Sequence, residues 1–132
     1  MTSTVNLDVD YVGRMFRALE QADFDTFRSC FTDDAVVWHN DDLIERNMDE
    51  VCAILAGFRA ESTDVQYEDQ RIVGIGDVRF VQHVLAAKLR SGKQFRMPAM
   101  MRIALNGAGR ISRIEEYYDS RATDCLRDEA GN

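Results

Sequence analysis

The chain has 132 residues, of which 45% are apolar and 30% are charged. This length and composition predict a single globular domain over residues 1–132, with its core at about 8–119, and exclude disordered and collagen-like chains. Sixteen basic residues against 23 acidic ones give a formal net charge of −7, which argues against nucleic acid and anionic membranes as partners.

The first part of the chain is predicted to be helical. Between Asp8 and Ala22, apolar residues recur every three or four positions, which is typical of an amphipathic helix with one buried stripe. A short second helix is expected to begin after Asp23, whose carboxylate can accept from its first free amides. This second helix is expected to carry three phenylalanines, Phe24, Phe27 and Phe31.

A short strand and a third helix follow. Asp33 and Asp34 are expected to form a turn, and the β-branched and aromatic residues over 35–39 predict a strand. Asn47 can cap a third helix while Glu50 reaches back to it, as in a capping box. The buried side of this helix is predicted to contain Val51, Ile54, Leu55 and Phe58.

Beyond Glu61 the apolar period changes to two, which predicts a sheet. Turns at Ser91–Gly92 and at 106–109 are expected to join an antiparallel meander. Its three strands are predicted at 79–89, 93–105 and 110–118. Pro98 cannot donate a ladder hydrogen bond, so we expect a bulge or a local edge there. The polar tail after Asp119 is expected to fray.

Helices first and a curved sheet afterwards predict an α+β domain whose helices cover one sheet face. No apolar run reaches the roughly 20 residues of a spanning helix, and the first ten residues lack the features of a signal peptide. We therefore expect a cytoplasmic protein with no membrane partner. Cys30, Cys52 and Cys125 share no metal or redox spacing and are predicted to be free thiols.

The pattern of elements is similar to that of a known superfamily. The residues that carry the similarity are Ala18, Leu19, Asp23, Phe24, Asp25, Phe31, Asp33, Asp34, Ala35, Asn106, Gly107, Ala108, Gly109, Glu116, Tyr117, Tyr118 and Asp119. Over about residues 8–119 the chain resembles the nuclear transport factor 2-like superfamily, especially its ketosteroid isomerase, SnoaL-like polyketide cyclase and limonene epoxide hydrolase branches. The resemblance implies a cone-shaped α+β fold with a mostly antiparallel curved sheet, an apolar pocket, and a homodimer formed through the sheet.

The resemblance also implies site residues. Glu116 takes the place of the acid/base aspartate of polyketide cyclases, and His39 takes that of the general-base aspartate of isomerases. Met15 and Met101, or Met100 with a one-residue shift at the proline, replace the hydrogen-bond donors of the isomerases, which argues against steroid isomerisation by that mechanism.

A carboxylate in an apolar cone loses hydration and can exchange protons near neutral pH, where histidine also titrates. Glu116 and His39 are therefore the predicted catalytic pair, although Glu115 points inward instead if the register slips by one. His83 is predicted to face the outer side of the sheet. The predicted substrate-binding residues are Asn40, Gln82, Val84, Met101, Tyr118, Met15 and Ile114, of which Gln82 and Val84 stand where epoxide hydrolases have an arginine and an aspartate.

The predicted function is a cofactor-independent acid/base enzyme, of isomerase, cyclase, dehydratase or epoxide-hydrolase type. Its substrate is expected to be a small, hydrophobic, oxygenated molecule. No metal is expected, because the polar segment 40–42 has no second histidine at a ligand spacing. The alternative is a non-catalytic module of the same fold that binds a ligand or assembles as a dimer.

Overall fold

A computed structural model describes residues 10–126 of the chain. Residues 1–9, which include the predicted helix start at Asp8, and the end of the polar tail at 127–132 lie outside this range. The helices are α1 (Tyr11–Gln21), α2 (Phe24–Ser29), α3 (Met48–Ala60) and a short 3₁₀ helix (Ser120–Thr123). The strands are β1 (Phe31–His39), β2 (Glu45–Arg46), β3 (Ser62–Ile75), β4 (Val78–Leu89), β5 (Gln94–Leu105) and β6 (Ile111–Tyr118).

The six strands form one mixed sheet in the order β2-β1-β6-β5-β4-β3. Strands β3 to β6 form an antiparallel meander, one strand longer than the predicted three. Strand β1 lies parallel to β6 and carries the two-residue β2 on its other side. The helices pack against this curled sheet, which confirms the predicted α+β cone fold.

The helix starts follow from their caps. The carboxylate of Asp10 accepts from the backbone N–H of Gly13, so the described part of α1 begins at Tyr11. At α3, the side chain of Asn47 accepts from the N–H of Glu50, whose carboxylate accepts from the N–H of Asn47. This reciprocal pair confirms the predicted capping box.

Two predictions about segment 31–34 are wrong. Helix α2 ends at Ser29, and Phe31 begins β1, because pairing with Ile111 of β6 draws the chain into the sheet. Asp33 and Asp34 lie within β1 rather than in a turn, in the interval where its register against β6 shifts. A bulge of this kind lets two exposed carboxylates remain in a strand.

The main core lies between α1, α2 and the concave face of the sheet. Its members include Val12, Met15, Phe16, Phe27, Phe31, Val81, Ile103, Ile111 and Ile114. Helix α3 buries Met48 and Val51 there, whereas Ile54 is 51% exposed. The prediction that Ile54 is buried is therefore wrong, because Ile54 lines a cavity beside the core instead of packing within it.

A second apolar cluster forms where β4 ends and β5 begins. It consists of Val65, Ala87, Leu89, Phe95 and Met97. Ala122, Cys125 and Leu126 pack against it, so the tail just after Asp119 is not frayed as predicted. The carboxylate of Asp119 caps this turn by accepting from the N–H of Arg121.

The structure tests the predictions for Pro98 and for the cysteines. Pro98 pairs with Val84 of β4 without a register shift, so the predicted bulge is absent from this pair. Pairing of β5 with β6 begins only at Ala99. Pro98 thus lies at a local edge, the other predicted possibility, where its missing N–H interrupts no bond to β6. The three cysteines are free thiols, as predicted.

Candidate active site

A cavity opens between the concave sheet face and the three α-helices. Its volume is about 120 Å³, roughly ten times the space that one buried water requires. Most lining residues are apolar, and the polar ones are His39, Tyr67 and Glu116. A largely apolar cavity with a few convergent polar groups is the usual form of a small-molecule site.

His39 and Glu116 meet at the carboxyl end of the parallel pair β1 and β6, where they stand directly opposite each other. Nε2 of His39 lies 3.0 Å from Oε1 of Glu116. The side chains are 22% and 10% exposed, respectively. The sheet register itself therefore places an acid beside a base, with Glu116 buried and His39 partly exposed.

The electrostatics of this pair favour a protonated histidine. Burial lowers the pKa of His39. The hydrogen bond to Glu116 and the charge of Glu116, with a contribution from Asp41, raise this pKa by more than burial lowers it. The net result is a pKa above the usual value of 6.5. Near neutral pH the pair can thus present an acceptor oxygen on Glu116 and a donor proton on His39.

Asn40, which follows β1 directly, connects the ends of β1 and β6 next to this pair. Its backbone N–H donates to the carbonyl of Glu116 at 3.0 Å. Its carboxamide donates to the carbonyl of Tyr118 at 3.1 Å and accepts from the N–H of Tyr118 at 3.0 Å. Asn40, a predicted substrate-binding residue, therefore uses its side chain on the backbone and is absent from the cavity lining.

The other predicted residues of β5 and β6 divide between the two sheet faces. Met101 and Ile114 line the cavity, as does Met15 from α1. Tyr118 shares the inner face but not the lining, and its ring lies edge-on to His39 at 5.9 Å. Burial and a hydrogen bond to Asp41 raise the pKa of Tyr118.

The register of β6 places Glu116 inward and Glu115 outward. Glu116 is buried and lines the cavity. Glu115 instead accepts from Nε of Arg113 at 3.0 Å and lies 3.8 Å from Arg102. The alternation also separates Tyr117, which is exposed on the outer face and packs edge-on against Trp38 at 5.3 Å.

The predicted register of β4 is wrong by one residue. Gln82 and Val84 are absent from the cavity lining, and Gln82 is exposed. The inner positions alternate through Val81, His83 and Leu85 instead. This register buries Val81, places the half-buried Leu85 in the cavity lining and leaves Gln82 in water, so hydrophobic burial selects it.

His83 is consequently buried rather than on the outer face as predicted. It is 3% exposed, and its ring lies 5.5 Å from that of Phe16 and 5.1 Å from that of Tyr67. Burial lowers the pKa of His83 despite the opposing charge of Glu116. Neither ring nitrogen has a hydrogen-bond partner within residues 10–126.

Sequence reasoning missed Tyr67 as a cavity residue. Tyr67 alternates with Val65 toward the helices, so the period-two pattern of β3 carried a signal for it. Its ring packs against that of Phe16 at 5.0 Å. Burial, with the charges of Glu116 and Glu20, raises the pKa of its hydroxyl, which stays protonated and able to donate.

Over 10–126, no group of three or more His, Cys, Asp or Glu side chains has an arrangement that could hold a metal ion. In the same range, no helix has both the length and the apolar character needed to cross a membrane.

Comparison with protein families identifies the class. The chain belongs to the SnoaL-like domain family, whose model matches residues 12–114. Glu116 lies just beyond the matched range, on the same strand as its last residue. Among curated proteins, no sequence matches the chain.

Solved structures share the cone fold at low sequence identity. PrhC from Penicillium brasilianum has a TM-score of 0.79 at 8% identity, covering 92% of this chain and 85% of that one. IdmH from Streptomyces antibioticus, a candidate polyketide cyclase, has a TM-score of 0.75 at 17% identity, covering 92% and 96%. A protein with a ketosteroid isomerase-like fold from Catenulispora acidiphila, in complex with trimethylamine, has a TM-score of 0.72 at 14% identity, covering 84% and 86%.

Proposed function

We propose that this protein is a cofactor-independent acid/base enzyme that moves protons on a small, hydrophobic, oxygenated molecule held in the cavity. The observation that carries this proposal is the contact between His39 and Glu116, 3.0 Å long, in a cavity whose other lining residues are apolar apart from Tyr67. A histidine whose pKa is raised by a neighbouring carboxylate inside a cavity is typical of active sites.

The two residues have complementary roles. The carboxylate of Glu116 accepts a proton from a carbon or a water next to it, and the imidazolium of His39 returns one to the developing oxygen. Each such group typically contributes about 10² to 10⁴ in rate when the substrate is held in place. The apolar lining, including Met15 and Met101, excludes water and strengthens both interactions.

The solved structures lend support to a cyclase-type or isomerase-type reaction. IdmH is described as a candidate polyketide cyclase, and the Catenulispora acidiphila structure has an isomerase-like fold with a small molecule bound. Epoxide opening with the arginine and aspartate set has less support, since Gln82 and Val84 occupy two of those positions and do not line the cavity.

A second candidate function is a ligand-binding module without catalysis. The observation that favours it is that Glu116 carries the one carboxylate among the described residues that line the cavity, and this carboxylate already has His39 as its partner.

With either function we propose a homodimer through the outer sheet face, where Met100 and Tyr117 are exposed as direct neighbours on β5 and β6.

Mass spectrometry after incubation with epoxides, enones and polyketide-type ketones tests the enzyme proposal. Wild type and the outer-face control Glu115→Gln are expected to convert at least one compound, and Glu116→Gln to convert it at least about 100-fold more slowly. His39→Phe is expected to flatten the pH dependence of turnover between about pH 5 and 8. Equal turnover by wild type and Glu116→Gln excludes the assigned base, and binding without turnover by any of these proteins favours the module.

A further inference from the structure

The cavity contains a buried carboxylate whose counter-charge comes from a residue that titrates. Glu116 is buried, and within residues 10–126 its one ion-pair partner is His39, at 3.0 Å. The imidazole is a cation only while it is protonated, and it is 22% exposed, so its proton can pass to water. A buried charge is costly without a partner of opposite sign. When His39 loses its proton, the carboxylate of Glu116 is left in the cavity without a cation from residues 10–126.

The rest of the cavity lining suits a ligand that carries a positive charge on a hydrocarbon frame. Aromatic rings attract a cation that lies over their faces, and three line the cavity, those of Phe27, Phe31 and Tyr67. Thioethers are soft and adapt to the shape of an apolar ligand, and the lining contains those of Met15, Met97 and Met101. The volume of about 120 Å³ accommodates about ten non-hydrogen atoms.

The number of acceptors in the lining selects the type of cation. The contact with His39 uses Oε1 of Glu116, which leaves Oε2 as an acceptor for a ligand N–H. A primary ammonium ion has three N–H donors. The hydroxyl of Tyr67 is the other polar acceptor among the described lining side chains, so a donor of such an ion would stay unpaired at a cost. A tertiary ammonium ion has one N–H, and its alkyl groups bury against the apolar lining.

We propose that the cavity binds a small tertiary ammonium ion, whose N–H donates to Oε2 of Glu116 while its alkyl groups fill the apolar lining. This ligand replaces the proton of His39 as the counter-charge, because two cations beside one carboxylate repel each other. Binding therefore releases one proton from the imidazolium to water and leaves a neutral imidazole. The inference goes beyond the proposed function, since this ligand occupies the acid/base pair without being converted.

The release of a proton gives the affinity a definite pH dependence. The ionisable groups around His39 are those of Glu116, Asp41, Asp42, Arg46 and Tyr118. Burial lowers the pKa of His39, and Glu116 and Asp41 raise it by more, so it lies above 6.5 in the folded protein. Below this pKa, each unit of pH increases the population of neutral imidazole about tenfold, and the affinity for the ammonium ion increases with it. Above this pKa, the affinity no longer depends on His39.

Isothermal titration calorimetry of wild type with N-methylpiperidine, a cation between about pH 5.5 and 8, tests the inference. At about pH 8 we expect a dissociation constant below about 10 mM. Binding should be at least about tenfold tighter than that of 4-methyltetrahydropyran, a neutral ring of the same size. Cyclohexylamine, a primary amine with as many non-hydrogen atoms, should bind at least about fivefold more weakly. Between about pH 5.5 and 6.5 the affinity for N-methylpiperidine should rise about tenfold.

Three variants identify the groups involved. Glu116→Gln keeps the size of the side chain but removes its charge, so it should weaken binding of N-methylpiperidine at least about tenfold at pH 8. Glu115→Gln is the matched control, since it removes a carboxylate from the outer face, where Arg113 is the partner, and should leave this affinity unchanged. His39→Phe removes the competing proton, so its affinity should stay constant between about pH 5.5 and 6.5.

Each outcome has a definite meaning. No binding of N-methylpiperidine by wild type, equal affinity for the neutral ring, or an affinity that does not rise between the two lower pH values overturns the inference. Unchanged affinity in a folded Glu116→Gln overturns it as well, and circular dichroism shows whether that variant folds. Equal or tighter binding of cyclohexylamine overturns the choice of a tertiary ion. The readouts on wild type decide the matter if a variant fails to fold, and none of them requires turnover, so a failure of the proposed function is distinguishable.

Discussion

Glu116→Gln should change how the stability of this protein depends on pH. In wild type the carboxylate holds the pKa of His39 above 6.5, the value expected for an unfolded chain. A group whose pKa is raised on folding contributes stability fully below its unfolded pKa, and this contribution is lost as the pH rises through the folded pKa. The variant removes the cause of the shift, so it should lack this pH-dependent contribution.

The size of the effect follows from the contact. A hydrogen bond to a charged group contributes about 1.5–3 kcal/mol. The partners are mostly buried, but His39 remains 22% exposed, which weakens the interaction through solvent screening. We therefore expect that, between about pH 6 and about pH 9, wild type loses about 1.5 kcal/mol of unfolding free energy relative to Glu116→Gln.

Urea unfolding of both proteins at the two pH values measures this difference. Glu115→Gln is the control, because it removes the neighbouring carboxylate on the outer face, where Arg113 is the partner. Its difference from wild type should not change over the same range. A stability gap between wild type and Glu116→Gln that is constant with pH, or that widens as the pH rises, would refute the assignment of His39 as the protonated partner.

Two further predictions concern residues around the cavity. Because burial lowers the pKa of His83, its stabilising contribution is present above pH 6.5 and lost as the pH falls through the folded pKa. His83→Phe should therefore lose less unfolding free energy than wild type when the pH falls from about 7.5 to about 5, as measured by urea titrations, and a greater loss in the variant on acidification would contradict this. Asn40→Ala removes two hydrogen bonds to the backbone of Tyr118 and should lower the unfolding free energy by about 1–2 kcal/mol. Faster amide hydrogen exchange at the end of β6 would localise that loss.

Local structure could be predicted from the sequence wherever residues within one short segment determine it. The capping box at Asn47 and the apolar stripe of α1 depend on residues three or four positions apart, and both occur as predicted. The strand predicted over 35–39 lies within β1, as expected. The pairing of Phe31, and the inclusion of Asp33 and Asp34 in the same strand, depend on β6, which is 80 residues further along the chain, and were missed.

The residues of the candidate site also divide into those that the sequence placed correctly and those that it did not. The inward direction of Glu116 and the cavity positions of Met15, Met101 and Ile114 agree with the sequence-based register. Gln82 and Val84 were placed one position out of register, a slip that reverses every side chain of a strand. His83 is buried instead of outward-facing because of that shift. Tyr67 was missed for a separate reason, since its place in the cavity depends on how β3 meets α1.

The sequence by itself determined that this chain has an amphipathic helical part followed by a long-stranded sheet, because these periods are properties of the backbone and of nearby residues. It also supplied the ionisable residues from which an acid/base site can be built. Only the tertiary structure decided that His39 and Glu116 stand 3.0 Å apart and that Tyr67 enters the same cavity. Those placements depend on strand pairings between distant segments, whose register is set by the total apolar surface buried and not by any local motif.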